Sequence, residues 1–362
     1  MTRLFTPITL RALTIKNRAW LSPMCQYSVE TGDGVPADWH LVHLGARAAG
    51  GFGLILTEST AVSPDARISP QDTGLWNEDQ VAGWARIVDF VHAHGAAVGV
   101  QLGHAGRKGS AFAPWHGRGP LPVDQGGWSV LGPSPLAYPG LAEPREATAE
   151  ELAGVVRSFR DAARRAGAAG FDLIEIHAGH GYLLHQFLSP LSNRRTDRYG
   201  GSFENRTRLL REVVDAVRGV WPDGMPLLVR LSASDWIEGG WTPEETADLA
   251  GTLRERGVDL MDVSSGGLDA AQRITVGPGY QVPFARRVRA EAGVPVGAVG
   301  LITRPEQAEA VLAEGSADAV LLAREALRDP SWPLRAAREL GAGPVESLYP
   351  RQYLRAATGT PA

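Results

Sequence analysis

Four times along this chain a helical stretch ends in glycine and a short apolar run follows at once. The four joints span residues 45–59, 164–177, 253–264 and 312–324. Strand candidates lie within them at 53–57, 171–176, 258–263 and 318–322, nearly continuous in Val, Ile and Leu. Glycine at a helix end takes the left-handed conformation that closes the helix. Unbroken apolar runs of this length suit strands covered on both faces. Four more runs, 19–22, 97–102, 227–231 and 295–299, fill the gaps. Helical patterns separate the strands: 76–93 opened by Asn77, 149–166 with Thr148 and Glu151 as a capping box, 203–220, 243–256 with Thr242 and Glu245 as a second box, and 305–313 with Thr303 at its cap. Eight strands alternating with helices predict a parallel sheet.

An open sheet of eight strands, about 4.8 Å apart, would hold its outer strands roughly 30 Å from each other. Yet almost every strand runs into polar or turn residues at its C-terminal end: Ser22 to Cys25, Glu58, Gln101, His177, Arg230, Ser264, Gly300 and Arg324. Only a closed barrel gathers eight such ends around one pocket. No Gly-x-Gly-x-x-Gly opens the first strand–helix turn, which weakens a dinucleotide fold. The expected architecture is therefore α/β, a single (β/α)8 TIM barrel over residues 1–362 with a C-terminal extension from about 341. Segments 103–146, 178–202 and 265–280 all follow strands, so these long insertions belong on the catalytic face. The first is rich in Gly, Pro and Trp, and its Trp115 to Trp128 stretch reads as a lid or an interface.

At 362 residues the chain exceeds the roughly 250 of a plain barrel, as those insertions require. Its net charge of −4, without a dense Lys/Arg run, argues against nucleic acid or an anionic membrane as partner. No segment approaches the apolar length of a membrane span, and residues 1–10 lack the apolar core of a signal peptide. The one cysteine, Cys25, forms no internal disulfide and fits a reducing, cytoplasmic setting.

The chemistry-bearing residues cluster at the strand ends. His177-Ala-Gly-His180-Gly-Tyr182 follows the fourth strand. It reads as a turn with two satisfied histidines, as a metal pair, or as two imidazole donors aimed at a substrate oxygen. A metal would need a third ligand nearby, and the sequence offers no obvious cluster. Tyr182, with an ordinary pKa near 10, would hold a proton to donate. Ser22-Pro23-Met24-Cys25-Gln26-Tyr27 ends the first strand; Cys25 and Met24 read either as core fillers or as residues opening on the same mouth. Arg230, inside the apolar run Leu228-Val229-Arg230-Leu231, needs an anion or an electron-rich partner. Gln101 offers a donor and an acceptor, suited to an imide edge. Gly300 and Ala323-Arg324 follow the last two strands, where barrels often bind phosphate. Lys108 and Arg324 offer charge for a further phosphate, although solvated surface charge is the simpler reading of both.

Taken in order, these motifs resemble the old yellow enzyme family of flavin-dependent ene-reductases, from Leu4 to about Arg355. The specific pieces are Asn17-Arg18 with Ser22-Pro23-Met24, Gln101-Leu102-Gly103-His104-Ala105-Gly106-Arg107, residues 177–184, and Asn193-Arg194-Arg195-Thr196-Asp197-x-Tyr199-Gly200-Gly201-Ser202-x-Glu204-Asn205-Arg206. Cys25 and the C-terminal Gln352-Tyr353-Leu354-Arg355 are similar to the bacterial, thermophilic-like branch. The resemblance implies tightly bound, non-covalent FMN and NAD(P)H as reductant. Ser22, Pro23, Met24 and Cys25 would line one flavin edge, Cys25 tuning its potential. Ser59 would approach through its backbone, Gln101 would bond the pyrimidine, and Arg230 would stabilise the anionic reduced form. Gly300, Ala323 and Arg324 would hold the phosphate. The family commonly has Gly in place of Ala323 and Ala in place of Ser59. His177 and His180 would polarise the carbonyl of an activated alkene, Tyr182 would protonate its α-carbon, and Tyr27 would shape the pocket. Arg355 would reach a neighbouring subunit's site, implying a homodimer or tetramer. Two other readings remain: a flavin-binding redox sensor built on Cys25, and a flavin-free barrel lyase or isomerase.

Overall fold

A computed structural model describes residues 2–343 and 345–357. Eight strands alternate with eight principal helices. The strands are β1 (Ala19–Leu21), β2 (Leu54–Ala61), β3 (Ala97–Gly103), β4 (Leu173–Ala178), β5 (Leu227–Ser232), β6 (Leu260–Ser264), β7 (Val296–Ala298) and β8 (Ala319–Leu322). After each comes a helix: α1 (Asp38–Ala49), α2 (Glu78–Ala93), α3 (Ala149–Ala168), α4 (Phe203–Arg218), α5 (Pro243–Glu255), α6 (Val282–Ala292), α7 (Pro305–Ala313) and α8 (Trp332–Glu339). Every neighbouring strand pair is parallel, and β8 pairs with β1 through Val320↔Ala19 and Leu322↔Leu21, closing the barrel. The expected (β/α)8 fold is the observed one.

The four glycine joints behave as their chemistry dictates. Gly51, Gly170, Gly257 and Gly315 end α1, α3, α5 and α7 with φ between 71 and 91°. Asn77 accepts from the Gln80 N–H, and Thr148 with Glu151 and Thr242 with Glu245 form reciprocal capping boxes; such a cap stabilises a helix by about 1 kcal/mol. The cap expected from Thr303 is corrected: Arg304 occupies that position without a side-chain bond, and the Thr303 N–H instead donates to Gln307 Oε1 at 3.1 Å. Pro305 explains the shift, because the residue before a proline is held extended. Helices α6 and α8 are not singled out by the sequence patterns; α6 buries Val282, Ala285, Val288 and Ala292, and α8 buries Trp332, Leu334, Ala336 and Ala337.

Alternation along the strands divides the apolar residues in two. Leu21, Ile55, Val98, Ile174, Val229, Met261 and Val320 pack outward with the helices. Trp20, Leu54, Leu56, Leu173, Leu228, Leu260 and Leu321 form a separate cluster inside the barrel. An antiparallel hairpin, Ile8–Leu10 with Leu13–Ile15, joins that inner cluster through Leu10 and Ile15 and plugs the barrel floor. Each fully buried Leu contributes about 1.5–3 kcal/mol. Two residues further along each strand the same side of the chain turns polar: Leu173 leads to Glu175, Leu228 to Arg230 and Leu260 to Asp262. The barrel interior is thus apolar at the floor and charged below its mouth.

Candidate active site

β4 is longer than its apolar run, ending at Ala178, so His177 is held by the strand rather than by a loop. The Gly179 N–H points at His177 Nδ1 (3.3 Å), leaving the proton of the neutral ring on Nε2. His180 follows with φ 54°. Its Nδ1 lies 3.4 Å from His177 Nε2, and its Nε2 lies 2.7 Å from Ser264 Oγ at the end of β6. Gly181 (φ 74°) and Gly267 (φ 90°) let the loops after β4 and β6 meet. A Cβ on Gly181 would sit 2.2 Å from the Gly267 carbonyl oxygen, and one on Gly267 would sit 2.7 Å from His180 Cα. The Gly181 N–H donates to His185 Nδ1, and His185 Nε2 faces buried Asp235 at 2.9 Å. Tyr182 then caps a short helix, Leu183–Leu188, with its ring edge-on to His177 at 5.0 Å.

Burial sets the protonation of this trio. It pushes both histidines well below their usual pKa, helped by the positive charge of Arg230, so both are neutral donors or acceptors near pH 7. Burial also pushes the Tyr182 hydroxyl well above its usual range, so it keeps its proton. Lys108 corrects the reading as a solvated charge. Its Nζ donates to the backbone oxygens of His180 (2.9 Å) and Gly267 and lies over the Tyr138 ring at 4.3 Å. Burial, aided by Arg107, lowers its ammonium to about 7.

The loop after β1 faces them. Ser22 continues the strand, its N–H donating to the Leu322 carbonyl at 3.0 Å, and Pro23 and Met24 lead to Cys25. The Tyr27 hydroxyl and the Ser59 backbone N–H both point at the Cys25 sulfur. That N–H lies just past an irregularity in the β2–β3 pairing between Leu56 and Ser59. Burial, with Asp72 and Glu58 nearby, holds the Cys25 thiol protonated. Tyr27 itself has φ 49° and meets Trp115 edge-on at 6.0 Å. Trp115 is 59 % exposed, so the long insertion reaches over this side of the mouth.

Gln101 and Arg230 belong to the charged layer under the mouth. Gln101 Nε2 donates to Glu175 Oε1 at 2.7 Å. Arg230 Nη2 donates to Ser22 Oγ at 3.2 Å, and its Nε lies 2.9 Å from Asp262 Oδ2. Gly300 (φ 119°), Ala323 and Arg324 line one cavity of 180 Å³ with Ser264, Tyr280, Gln281 and Arg328. Since Ser264 also contacts His180, this cavity adjoins the histidine pair. Arg355 is the exception. It is exposed in the short helix Leu354–Ala357, and the neighbouring Gln352 and Tyr353 lie beside Ala46, Ala49 and His94. Those residues mark the C-terminal ends of α1 and α2, the end of the barrel away from the mouth. Of the expected C-terminal extension, residues 344 and 358–362 lie outside the described residues.

Glu175, Asp262, Lys108 and Ser264 are site residues that motif reading does not assign. A signal existed for the first two: each is a lone acid inside an apolar strand, Ile174-Glu175-Ile176 and Met261-Asp262-Val263.

These residues fit FMN. Arg230, a nearly buried cation, has an Nη1 without a hydrogen bond among the described residues, which suits an electron-rich ring edge. The cavity with Arg324, Arg328 and the glycine at φ 119° suits a phosphate.

The chain matches the family described as NADH:flavin oxidoreductase / NADH oxidase over residues 3–342. It is 51 % identical over 355 residues to an NADPH dehydrogenase of Geobacillus thermodenitrificans, covering 98 % of both chains. Among solved structures it is similar to morphinone reductase in complex with tetrahydroNAD (32 % identity, TM-score 0.78, 96 % of this chain and 94 % of that one). It is also similar to an old yellow enzyme homologue from Zymomonas mobilis (29 % identity, TM-score 0.78, 96 % of each chain). Fold, site and comparisons define an FMN-dependent oxidoreductase that uses NAD(P)H as reductant. The chain belongs to the NADH:flavin oxidoreductase / NADH oxidase family, that of the old yellow enzymes.

Proposed function

We propose that this oxidoreductase reduces the C=C bond of small alkenes conjugated to a carbonyl or a comparable acceptor, in ping-pong turnover with NAD(P)H. The observation that carries this reading is a pair of neutral histidines beside a tyrosine that keeps its proton, all at one mouth. Bound FMN supplies the chemistry of a two-electron hydride carrier. The chain's own part is electrostatic and acid–base. His177 turns its Nε2–H toward the substrate oxygen and favours the negative charge that develops there. His180 joins it by exchanging its contact with His177 for the same oxygen in the tautomer that carries its proton on Nδ1, the Ser264 hydroxyl then donating to its Nε2. Tyr182 gives its hydroxyl proton to the α-carbon. Gly300, Ala323, Arg324 and Arg328 hold the phosphate, Ser22 to Cys25 border the ring system, and Ser59 steadies Cys25. Arg355, exposed on its own protomer, completes the mouth of a neighbouring copy. A sensor based on Cys25 is disfavoured, since a thiol held protonated is a poor nucleophile.

An anaerobic absorbance titration tests the reading. The flavin spectrum is expected to bleach with NADPH and to return on adding 2-cyclohexenone. A flavin that bleaches but is not reoxidised by any enone, nitroalkene or maleimide overturns it.

A further inference from the structure

Beneath the mouth, three neighbouring strands contribute Glu175, Arg230 and Asp262 to one buried polar layer. Gln101 pairs with Glu175, and Arg230 pairs with both His177 and Asp262. All four polar residues of the layer, Gln101 included, are at most 5 % exposed. The layer is poorly satisfied. Among the described residues, Glu175 Oε2 and both carboxylate oxygens of Asp262 have no hydrogen-bond partner, and Arg230 Nε meets Asp262 as a charge contact rather than an aligned hydrogen bond. Below lies the apolar inner cluster, with Trp20, Leu54, Leu56, Leu173, Leu228, Leu260 and Leu321 among its members. Stability does not account for such a layer, because well-packed apolar side chains serve a core equally well or better than a buried ion pair. Its upper neighbours are the residues that face the cofactor.

We propose that Asp262, acting through Arg230, and Glu175, acting through Gln101, are positioning residues that set how strongly the site prefers reduced over oxidised FMN. Asp262 touches the guanidinium and opposes its charge. An unopposed Arg230 would favour the reduced cofactor, which carries extra negative charge at its pyrimidine edge. Asp262 therefore holds that preference down. Glu175 has the second carboxyl, and burial together with Asp262 raises its pKa against the opposing pull of Arg230. It keeps its proton and acts by geometry, drawing the Gln101 NH2 inward at 2.7 Å so that the amide oxygen turns toward the mouth as an acceptor for an imide N–H.

The inference rests on FMN occupying the mouth, and the experiment separates the two. Midpoint potentials of wild type, Asp262→Asn and Glu175→Gln holoproteins are measured by equilibration with redox dyes. Asp262→Asn is expected to raise the ratio of reduced to oxidised affinity at least about tenfold, which is about 30 mV for a two-electron couple. Glu175→Gln, which preserves the acceptor for Gln101, is expected to stay within about threefold (half a decade on the same scale). An unshifted Asp262→Asn potential, or equal shifts in both variants, overturns the proposal. Should Asp262→Asn not fold, redox-difference infrared spectra of wild type decide. A protonated-carboxyl band that moves on reduction and is absent from Glu175→Gln supports the proposal, and its absence from wild type overturns it. A protein that takes up no FMN fails the placement of the cofactor, whereas a yellow protein with unshifted potentials fails this inference alone.

Discussion

His180 Nε2 lies 2.7 Å from Ser264 Oγ, joining the loop after β4 to the last residue of β6. That contact ties the histidine pair to the cavity bordered by Gly300, Ala323 and Arg324, which Ser264 also lines. In the proposed roles, the substrate donors and the phosphate cradle share one wall.

Tyr182 stands beside His177 with its proton retained. In Tyr182→Phe, alkene turnover should fall roughly 10²- to 10⁴-fold, the usual contribution of a positioned acid. Bleaching of the flavin by NADPH should continue at near the wild-type rate. Stopped-flow absorbance of the two half-reactions reads both, and an unchanged oxidative half-reaction would remove Tyr182 from the role of acid.

Asp72 is fully buried, and burial together with Glu58 raises its carboxyl from 3.8 to about 8. The folded protein thus holds a proton that the unfolded chain has already released. The stability from this group is present below pH 3.8 and is lost as pH rises through about 8. Asp72→Asn lacks the titration, so its stability relative to wild type should climb across that window. The limiting slope is about 1.4 kcal/mol per pH unit. Urea unfolding at several pH values checks this; a difference independent of pH contradicts it.

Gly181 can take its φ of 74° and its approach to the Gly267 carbonyl only without a side chain. Gly181→Ala should cost at least about 1–3 kcal/mol for the backbone conformation alone and should displace Tyr182. Thermal unfolding should show a lower Tm, and steady-state assays a loss of alkene turnover larger than the loss of bound FMN.

The half-buried Cys25 thiol is held protonated, with the Tyr27 hydroxyl and the Ser59 N–H pointing at its sulfur. Alkylation of the native protein by iodoacetamide at pH 8 should run at least about tenfold slower than that of a free thiol. Mass spectrometry over time measures it, and rapid labelling would revive the sensor reading.

Much of the fold is legible in the sequence because it is written in short-range rules. The glycine joints, the capping boxes at Thr148 and Thr242 and the β-branched runs each act within a few residues. The trio of His177, His180 and Tyr182 is legible for the same reason, being contiguous. What escapes is what depends on register. Glu175 and Asp262 look like stray charges until the closed sheet sets them beside Gln101 and Arg230. Lys108 looks like surface charge until two distant loops bring it the carbonyls of His180 and Gly267. Thr303 fails as a cap because Pro305 governs the backbone just ahead of it.

The hairpin that plugs the barrel floor through Leu10 and Ile15 makes the molecule a vessel with one opening. In the proposed turnover, nicotinamide and alkene then queue at a single door, and each must leave by the way it came. Crowding by either reactant should slow the other, so that abundance of substrate becomes a brake on the traffic it feeds.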